Sequence, residues 1–451
     1  MIFAAGFRPE FVQPFPFQIV AAEWMASKTF CVLGDGMRVG KTPSAIRACD
    51  MLGLEKILVI CPANLRINWL REFQRFSPMD RVTQAVMPNE IPRISGVGVT
   101  IVSYEGAVKH KEILQSVGFQ TLICDEVHFL KSRTSRRAKT VYGCGRRSAG
   151  IASTCKRFWG LSGTIAPNNA SELWVHLHAA GLADESYWDF TLKYTTGWES
   201  AYGYVCTGSK NVEELKQRLS GFVLRRTLQD VMPQLPPVTF ETVTVPRSDA
   251  FLSPEFRDQF PQLIQADAEL QAALSSMGQA SQVSMLEKTA SSVTTLRRFI
   301  LASKLPAIGD QLEEDLSTGG IDKIVVFCVF KIGVDYMAKR LEKFGVVTLN
   351  GDTPSKQRQE NIDSFRTSPN VRVFVGNLVA AGVGIDLAHC SECVLLECSF
   401  VPGDNQQAVA RLQGVNQKNS VRVRVFSLFN SVDERISEVL VRKTRELSKI
   451  L

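Results

Sequence analysis

The sequence predicts an α/β fold of two parallel-sheet domains with a helical insertion between them. Three observations carry this. Short apolar, β-branched runs recur with helix-like stretches between them, the pattern of βαβ units. The runs fall into two sets, separated by residues 249–305, which are polar, Ala- and Gln-rich and contain no such run. The chain has 451 residues, which at roughly 100–200 residues per domain leaves room for two or more separate cores.

In the first half the strand-like runs are TFCVLG (29–34), KILVICP (56–62), VTIVSY (99–104), TLICDE (121–126) and FWGLSGT (158–164). PQLPP (233–237) then reads as a hinge, because paired prolines fit neither a helix interior nor a central strand. The second set comprises KIVVFC (323–328), VVTLNG (346–351), VRVFVGN (371–377), CVLLECS (393–399) and VRVRVFSLF (421–429). The expected division is a nucleotide-binding domain over 1–235, linker and helical insertion over 236–305, and a second domain over 306–451.

Composition excludes several classes. Hydrophobic residues are 45% and charged residues 22%, ordinary for globular protein and unlike disordered or collagen-like chains. No run of about 18 apolar residues predicts a spanning helix. MIFAAGFRPEFVQPFPF lacks the basic start of a signal peptide, so a cytoplasmic location is expected, or a nuclear one in a eukaryote. Eleven cysteines, many inside apolar runs, suit buried thiols in a reducing compartment. Cys390 and Cys393 form a single C-x-x-C beside His389, short of the four ligands of a zinc site. The net charge of +7 says less than its placement. Lys131, Arg133, Arg136, Arg137, Lys139, Arg146 and Arg147 fall in a stretch without an acid, a field suited either to a phosphate backbone or simply to solvent.

Gly34-Asp35-Gly36-Met37-Arg38-Val39-Gly40-Lys41-Thr42 follows one strand-like run and opens a helix-like one. Glycines there let backbone N–H groups approach phosphate oxygens, and the helix N-terminus adds its positive end. Lys41 would reach the β- and γ-phosphates and Thr42 would ligate Mg²⁺. Asp35 stands at the first glycine position of the strict pattern, so Gly-Lys-Thr by itself is a weak signal. Asp125-Glu126-Val127-His128, at the end of another strand-like run, supplies the complement: one acid for Mg²⁺ and one to orient an attacking water. Each alone is compatible with an ordinary turn; together, in this order, they read as a nucleoside triphosphatase.

At these residues the chain resembles the Swi/Snf family of superfamily-two helicase-like ATPases. Pro16-Phe17-Gln18 resembles its adenine-sensing element, with Gln18 the base reader. CPANLRINWLREFQRF (61–76), Ser103-Tyr104-Glu105, DEVHFLKS, LSGTIAPNNASELW (161–174) and Leu224-Arg225-Arg226 are similar to successive motifs of the first domain. LNGDTPSKQRQENIDSF (349–365), NLVAAGVGIDLAHC (377–390) and QAVARLQGVNQ (407–417) are similar to those of the second. FTLKYTTGW (190–198), SKNVEELKQRL (209–219) and FVPGDNQQA (400–408) are most similar to the HARP-type annealing helicases, here as a bare motor of the kind found in phage or bacteria.

The resemblance implies two RecA-like domains, ATP and Mg²⁺ as cofactors, and duplex or branched DNA as partner, in a monomeric motor or one subunit of a larger assembly. It implies nucleotide contacts from Gln18, Gly36, Arg38, Gly40, Lys41, Thr42 and Asp386; Mg²⁺ at Thr42 and Asp125; and catalysis by Lys41, Asp125, Glu126 and Arg411. DNA contacts are expected from Asn68, Ser103, Tyr104, Lys131, Arg133, Asn350, Lys356 and Asn377. Tyr104 and Trp69 have a core role as the alternative, which is preferred for Trp69. His128 is expected to link the ATP site to the motor, or to be a buried structural histidine.

Two departures stand out. Gly36 replaces an acid and Arg38 a glycine of the family loop, and an arginine there is expected to keep a helical backbone. In the last motif the second arginine is replaced by Gly414. Such a finger is worth about 10³–10⁵ in turnover. Three readings therefore remain: a duplex-DNA translocase acting on forks or annealing strands, a strand-separating helicase (although no pin hairpin is readable), and a weakly hydrolysing ATP-dependent clamp.

Overall fold

The computed structural model describes residues 2–3, 12–92, 98–143, 148–166, 169–200, 203–250, 252–276, 293–381, 385–414 and 417–450. The chain divides into two compact units, Met1–Pro233 and Gln234–Leu451. Among the described residues, no helix is long and apolar enough to cross a membrane.

The first unit is built on strands β1 (Ile2–Phe3), β2 (Phe30–Leu33), β3 (Lys56–Cys61), β4 (Thr83–Ala85), β5 (Gly98–Ser103), β6 (Thr121–Asp125) and β7 (Arg157–Leu161). After the two-stranded β8 (Thr195–Ser200) and β9 (Gly203–Ser209), the chain returns as β10 (Val223–Leu224). The sheet order is β1-β4-β5-β3-β6-β7-β2-β10, parallel throughout except for β1. Helices α1 (Pro16–Ala26), α2 (Lys41–Met51) and α3 (Arg66–Phe76) precede β2, β3 and β4 respectively. Parallel strands need crossovers, and crossover helices cover both faces, so the central strands are buried on both sides: all five residues of β6 are buried, including Thr121 and Asp125 at its ends.

The antiparallel β8–β9 pair lies outside both large sheets. It is a hairpin that sequence alone does not reveal, since TTGWES and GYVCTGS are too polar to read as core strands.

The second unit holds β11 (Val238–Val245), β12 (Ile324–Cys328), β13 (Val346–Leu349), β14 (Val373–Asn377), β15 (Glu392–Leu395) and β16 (Val421–Leu428). Their order is β11-β16-β15-β12-β14-β13, all parallel. Strand alternation divides its core in two. Val325 and Phe327 join Leu349, Phe374, Leu395 and Val423 on one face. Ile324, Val326 and Cys328 join Val373, Val375 and Val394 on the other. The helix Thr294–Ser317 seals the second face with Leu301, Leu305, Ile308, Leu312 and Leu316, spaced as one helical stripe.

VTFETVTV falls within the stretch expected to be linker. It is instead the edge strand β11, paired with β16 from Val238↔Val421 to Val245↔Leu428. The helix Phe260–Ser276 of the expected insertion packs Leu263, Leu270 and Leu274 into the core of the second unit. Asp267 accepts a hydrogen bond from Val432 N (2.9 Å), at the start of the helix Val432–Ile450. The remainder of that expected insertion, 277–292, lies outside the described residues.

Candidate nucleotide site and DNA-facing residues

Local sequence explains the loop. β2 ends at Leu33, and the chain continues alongside the segment after β10: Gly34 N donates to Leu224 O (2.7 Å) and Gly36 N to Arg226 O (2.7 Å). The loop then turns into α2 through Gly40, with φ 91°. A Cβ at Gly40 would lie 2.1 Å from Gln18 Nε2, so this glycine is required both for its left-handed backbone and for close approach. Arg38 has φ 66°. The expected helical backbone at Arg38 is therefore corrected: the position is left-handed, which is why a glycine suits it, and an arginine there carries strain.

Asp35, at the position of the pattern's first glycine, is completely buried. Its carboxylate is paired with Arg226, whose Nε lies 3.1 Å from Oδ1, and Arg226 Nη1 donates to Phe17 O (2.8 Å). Arg226 thus ties α1, the loop and the segment after β10 together. Arg225 donates to Gly34 O (3.4 Å) and Gly163 O (3.3 Å); burial pulls its pKa down to about 10. Gln18 is buried, accepting from Phe15 N (3.0 Å) and donating to Val39 O (3.2 Å), so its amide braces the loop. Lys41 Nζ donates to Asp35 O (2.9 Å) and Gly36 O (3.2 Å), which curls it back over the loop, while Thr42 opens α2 and is half-buried.

Asp125 ends β6. Its Oδ2 accepts from Trp69 Nε1 (2.8 Å) and its Oδ1 from Glu126 N (3.0 Å). Burial first, then the Glu126 charge, push its carboxyl up to about 6. A group so placed is ready to be drawn to its charged form by a cation. Glu126 is itself left-handed (φ 50°), which turns its side chain toward Ser162: Oε2 lies 3.4 Å from Ser162 Oγ and 3.3 Å from His128 Nδ1. His128 Nδ1 is 2.9 Å from Ser162 Oγ, and Ser162 Oγ donates to Thr164 O (2.9 Å). The acid box and the Ser-Gly-Thr segment are thus one hydrogen-bonded network. Gly163 closes it against the loop: a Cβ there would be 3.6 Å from Lys41 Nζ.

These contacts bring together Gln18, Gly36, Gly40, Lys41, Asp125 and Glu126 of the sequence-expected set, all within the first unit. They also add Trp69, Ser162, Arg225 and Arg226. Asp35 at a glycine position was the signal for Arg226, since a carboxylate there needs a cation.

The expected DNA contacts divide. Asn68 is exposed on α3. Tyr104 is fully buried and donates its hydroxyl to Asp125 O (2.8 Å), so it supports the acid strand and presents no surface to DNA. Ser103 is likewise buried, its hydroxyl capping the next helix by accepting from Gly106 N (3.0 Å). The basic stretch is acid-free only in sequence: Lys131 pairs with Glu172 (3.0 Å) and Arg137 with Glu105. Arg133, Arg136 and Lys139 are exposed and form no ion pair among the described residues. Arg146 and Arg147 lie outside them.

In the second unit Asn377 Nδ2 donates to Val329 O (2.8 Å), and Asn350 Oδ1 accepts from Asp352 N (3.1 Å), closing a turn. Asp386 is exposed, and its Oδ1 accepts from Ala388 N (3.2 Å). Arg411 follows the helix Pro402–Ala410, half-buried, with its carbonyl accepting from Leu387 N (2.9 Å). Gly414 is buried, with φ 156°. The side chain of Lys356, residues 382–384 of the expected bridging element and residues 415–416 of the last motif lie outside the described residues. Cys390 and Cys393 are buried, and no cluster of three or more metal-ligating side chains occurs among the described residues.

Comparison with known proteins agrees with this geometry. Residues 17–298 match the SNF2-related domain and residues 303–414 the helicase conserved C-terminal domain. The chain is 27% identical over 434 residues to a SWI/SNF-related matrix-associated actin-dependent regulator of chromatin subfamily A-like protein 1 homolog of Caenorhabditis elegans, covering 93% of this chain and 59% of that protein. It is 28% identical over 428 residues to the Xenopus tropicalis subfamily A-like protein 1 (93% and 43%). It is 24% identical over 433 residues to the DNA annealing helicase and endonuclease ZRANB3 of Mus musculus (92% and 38%). The chain therefore spans between about two fifths and three fifths of these relatives' length. With the phosphate loop, the acid box and the second parallel-sheet unit all in the order this family requires, the chain belongs to the SNF2-related family.

Proposed function

We propose that the chain is an ATP-dependent translocase on double-stranded DNA that remodels branched DNA or anneals displaced strands. The observation that carries the reading is the network of Asp125, Glu126, His128 and Ser162, with the Lys41 charge acting on Asp125 and Gly163 beside the loop. It sets a phosphate-binding loop against an acid pair and extends the acid pair into the Ser-Gly-Thr segment.

The residues fit Mg²⁺ and a nucleotide triphosphate. Thr42 and Asp125 would hold the cation, which neutralises phosphate charge when bound. Lys41 exchanges its loop carbonyls for phosphate oxygens, and Glu126 orients the attacking water. Gln18, braced on Val39 O, sets the entrance by which an adenine edge is read. On this reading Arg411 is the cation the second unit brings to the γ-phosphate, in place of a finger at Gly414. DNA is held through phosphates, so affinity falls steeply with salt and shows little sequence preference.

The similarity to a relative named a DNA annealing helicase supports the strand-annealing part of the reading. The test is displacement of a third strand from a triplex and rewinding of a partly open duplex, both with ATP. Triplex displacement without unwinding of a plain duplex is the expected result. Unwinding of a plain duplex establishes a strand-separating helicase instead, and neither activity leaves a clamp.

A further inference from the structure

The helical turn Val127–Leu130, directly after the acid pair, uses its four side chains in two ways. Val127 and Leu130 are completely buried and fill the core, while His128 and Phe129 are only half-buried. The Phe129 ring stacks on Tyr104 (5.3 Å between centroids, 11° between planes) and tilts against the His128 ring (5.1 Å). Tyr104 donates its hydroxyl to Asp125 O (2.8 Å), and His128 Nδ1 lies 3.3 Å from the Glu126 carboxylate. Phe129 therefore touches both side chains that hold the acid pair.

The same ring meets charge at the surface. The Arg137 guanidinium lies over it, 5.0 Å from the centroid, and pairs with Glu105. The side chains of Arg137 and Glu105 are 38% and 60% exposed, so water screens the pair and holding it together contributes little. Two packed helices carry these residues, Tyr104–Lys109 and Arg136–Tyr142. Glu105 is their one acid, against Lys109, Arg136, Arg137 and Lys139. In such a field the guanidinium readily exchanges its carboxylate for a phosphate, whose oxygens accept the same forked donor.

We infer that Arg137 senses a DNA phosphate, that Glu105 is its partner in the absence of DNA, and that Phe129 is the positioning residue that carries the exchange to Asp125 and Glu126. The element with two states is the Arg137 guanidinium. Paired with Glu105, it rests on Phe129 as described; drawn to a phosphate, it moves on the ring, and the Tyr104 and His128 contacts adjust with it. A shift of either contact moves a carboxylate of the acid pair, one meant for the cation and one for the attacking water. The inference rests on the reading of the chain as a DNA motor, and deepens it by naming the residues through which DNA stimulates hydrolysis.

The test titrates ATP turnover with duplex DNA for the native chain and for variants of the three residues. Glu105→Gln should lower the DNA concentration for half-maximal stimulation about threefold, the scale of an exposed ion pair, and Arg137→Gln should raise it. Glu105→Gln added to Arg137→Gln should change nothing further, because Glu105 acts through Arg137. Phe129→Leu should leave the half-maximal concentration within about twofold and cut the ratio of DNA-stimulated to DNA-free turnover by about fivefold or more, while Phe129→Tyr keeps that ratio. A ratio preserved in Phe129→Leu overturns the inference, and so does a fall of both rates together, which makes the ring merely structural. A Glu105→Gln gain that persists without Arg137, or no gain at all, overturns it too. A native chain whose turnover is indifferent to DNA would sink the motor reading itself.

Discussion

Arg226→Met removes the guanidinium between α1 and the phosphate loop while keeping most of the side chain's stem. Asp35 is then a carboxylate with no exposed surface that has lost its ion-pair partner, with Arg225 the cation that remains near it, and Phe17 O loses its donor. Breaking a buried pair from one side costs about 3–5 kcal/mol, since the remaining charge is left uncompensated. For a domain of this size that is a fall of about 6–20 °C in melting temperature, at about 2–4 °C per kcal/mol. The assay is unusually clean, because all six tryptophans lie within Met1–Pro233, so tryptophan fluorescence follows the first unit alone. The double variant Asp35→Asn with Arg226→Met removes the orphaned charge and should recover more than half of the loss. A single variant that melts within about 2 °C of the native chain, or a double variant no better than the single, would refute the claim that this pair holds the loop.

Further outcomes follow from the same geometry. Arg38→Gly releases a left-handed non-glycine residue and should stabilise the first unit by about 1 kcal/mol in urea titration followed by tryptophan fluorescence. Glu397 in the second unit is buried, has no partner for Oε1 among the described residues, and is pushed up to about 7 by burial. A carboxyl raised on folding stabilises only while it keeps its proton, so its contribution is full below the unfolded value near 4.5, declines as pH rises, and is gone above 7. Glu397→Gln should flatten that slope and protect β12 amides from hydrogen exchange at pH 8 but not at pH 4, by at most about 3 kcal/mol. Arg411→Ala should cut ATP turnover by about 10³-fold or more with nucleotide affinity retained, and turnover left unchanged would move the finger elsewhere. Gly414→Arg inserts a long charged side chain at a buried position and should lower the stability of the second unit without raising turnover, as read by calorimetry and phosphate release.

The fold was legible because buried parallel strands cannot hide. ILVIC, LIC, IVVFC and VFV are apolar at successive positions, and each is a strand of a sheet covered on both faces. β11 was not legible, since VTFETVTV sits at a sheet edge where threonine and glutamate face water, and β10 is too short to carry a pattern. The β8–β9 hairpin escaped for a different reason: Trp198 is exposed and Tyr204 and Cys206 are only half-buried, so no core alternation marks it.

The candidate nucleotide site was legible because its parts are short in sequence, a loop with its lysine and a strand with its acids. What escaped depends on distance along the chain. Glu172 and Glu105 pair with Lys131 and Arg137 of a stretch whose own residues are all basic or neutral. Trp69 reaches Asp125 across 56 positions, and Arg226 reaches Asp35 across 191. Tyr104 was expected at DNA with a core role as the alternative, and its ring turns inward to hold the acid-bearing strand.

The most direct test of the account is the rate of ATP hydrolysis with and without duplex DNA, for the native chain beside Lys41→Ala. The account predicts slow hydrolysis alone, strong stimulation by duplex DNA, and loss of both in Lys41→Ala. Hydrolysis that is indifferent to DNA, or that persists in Lys41→Ala, would contradict it.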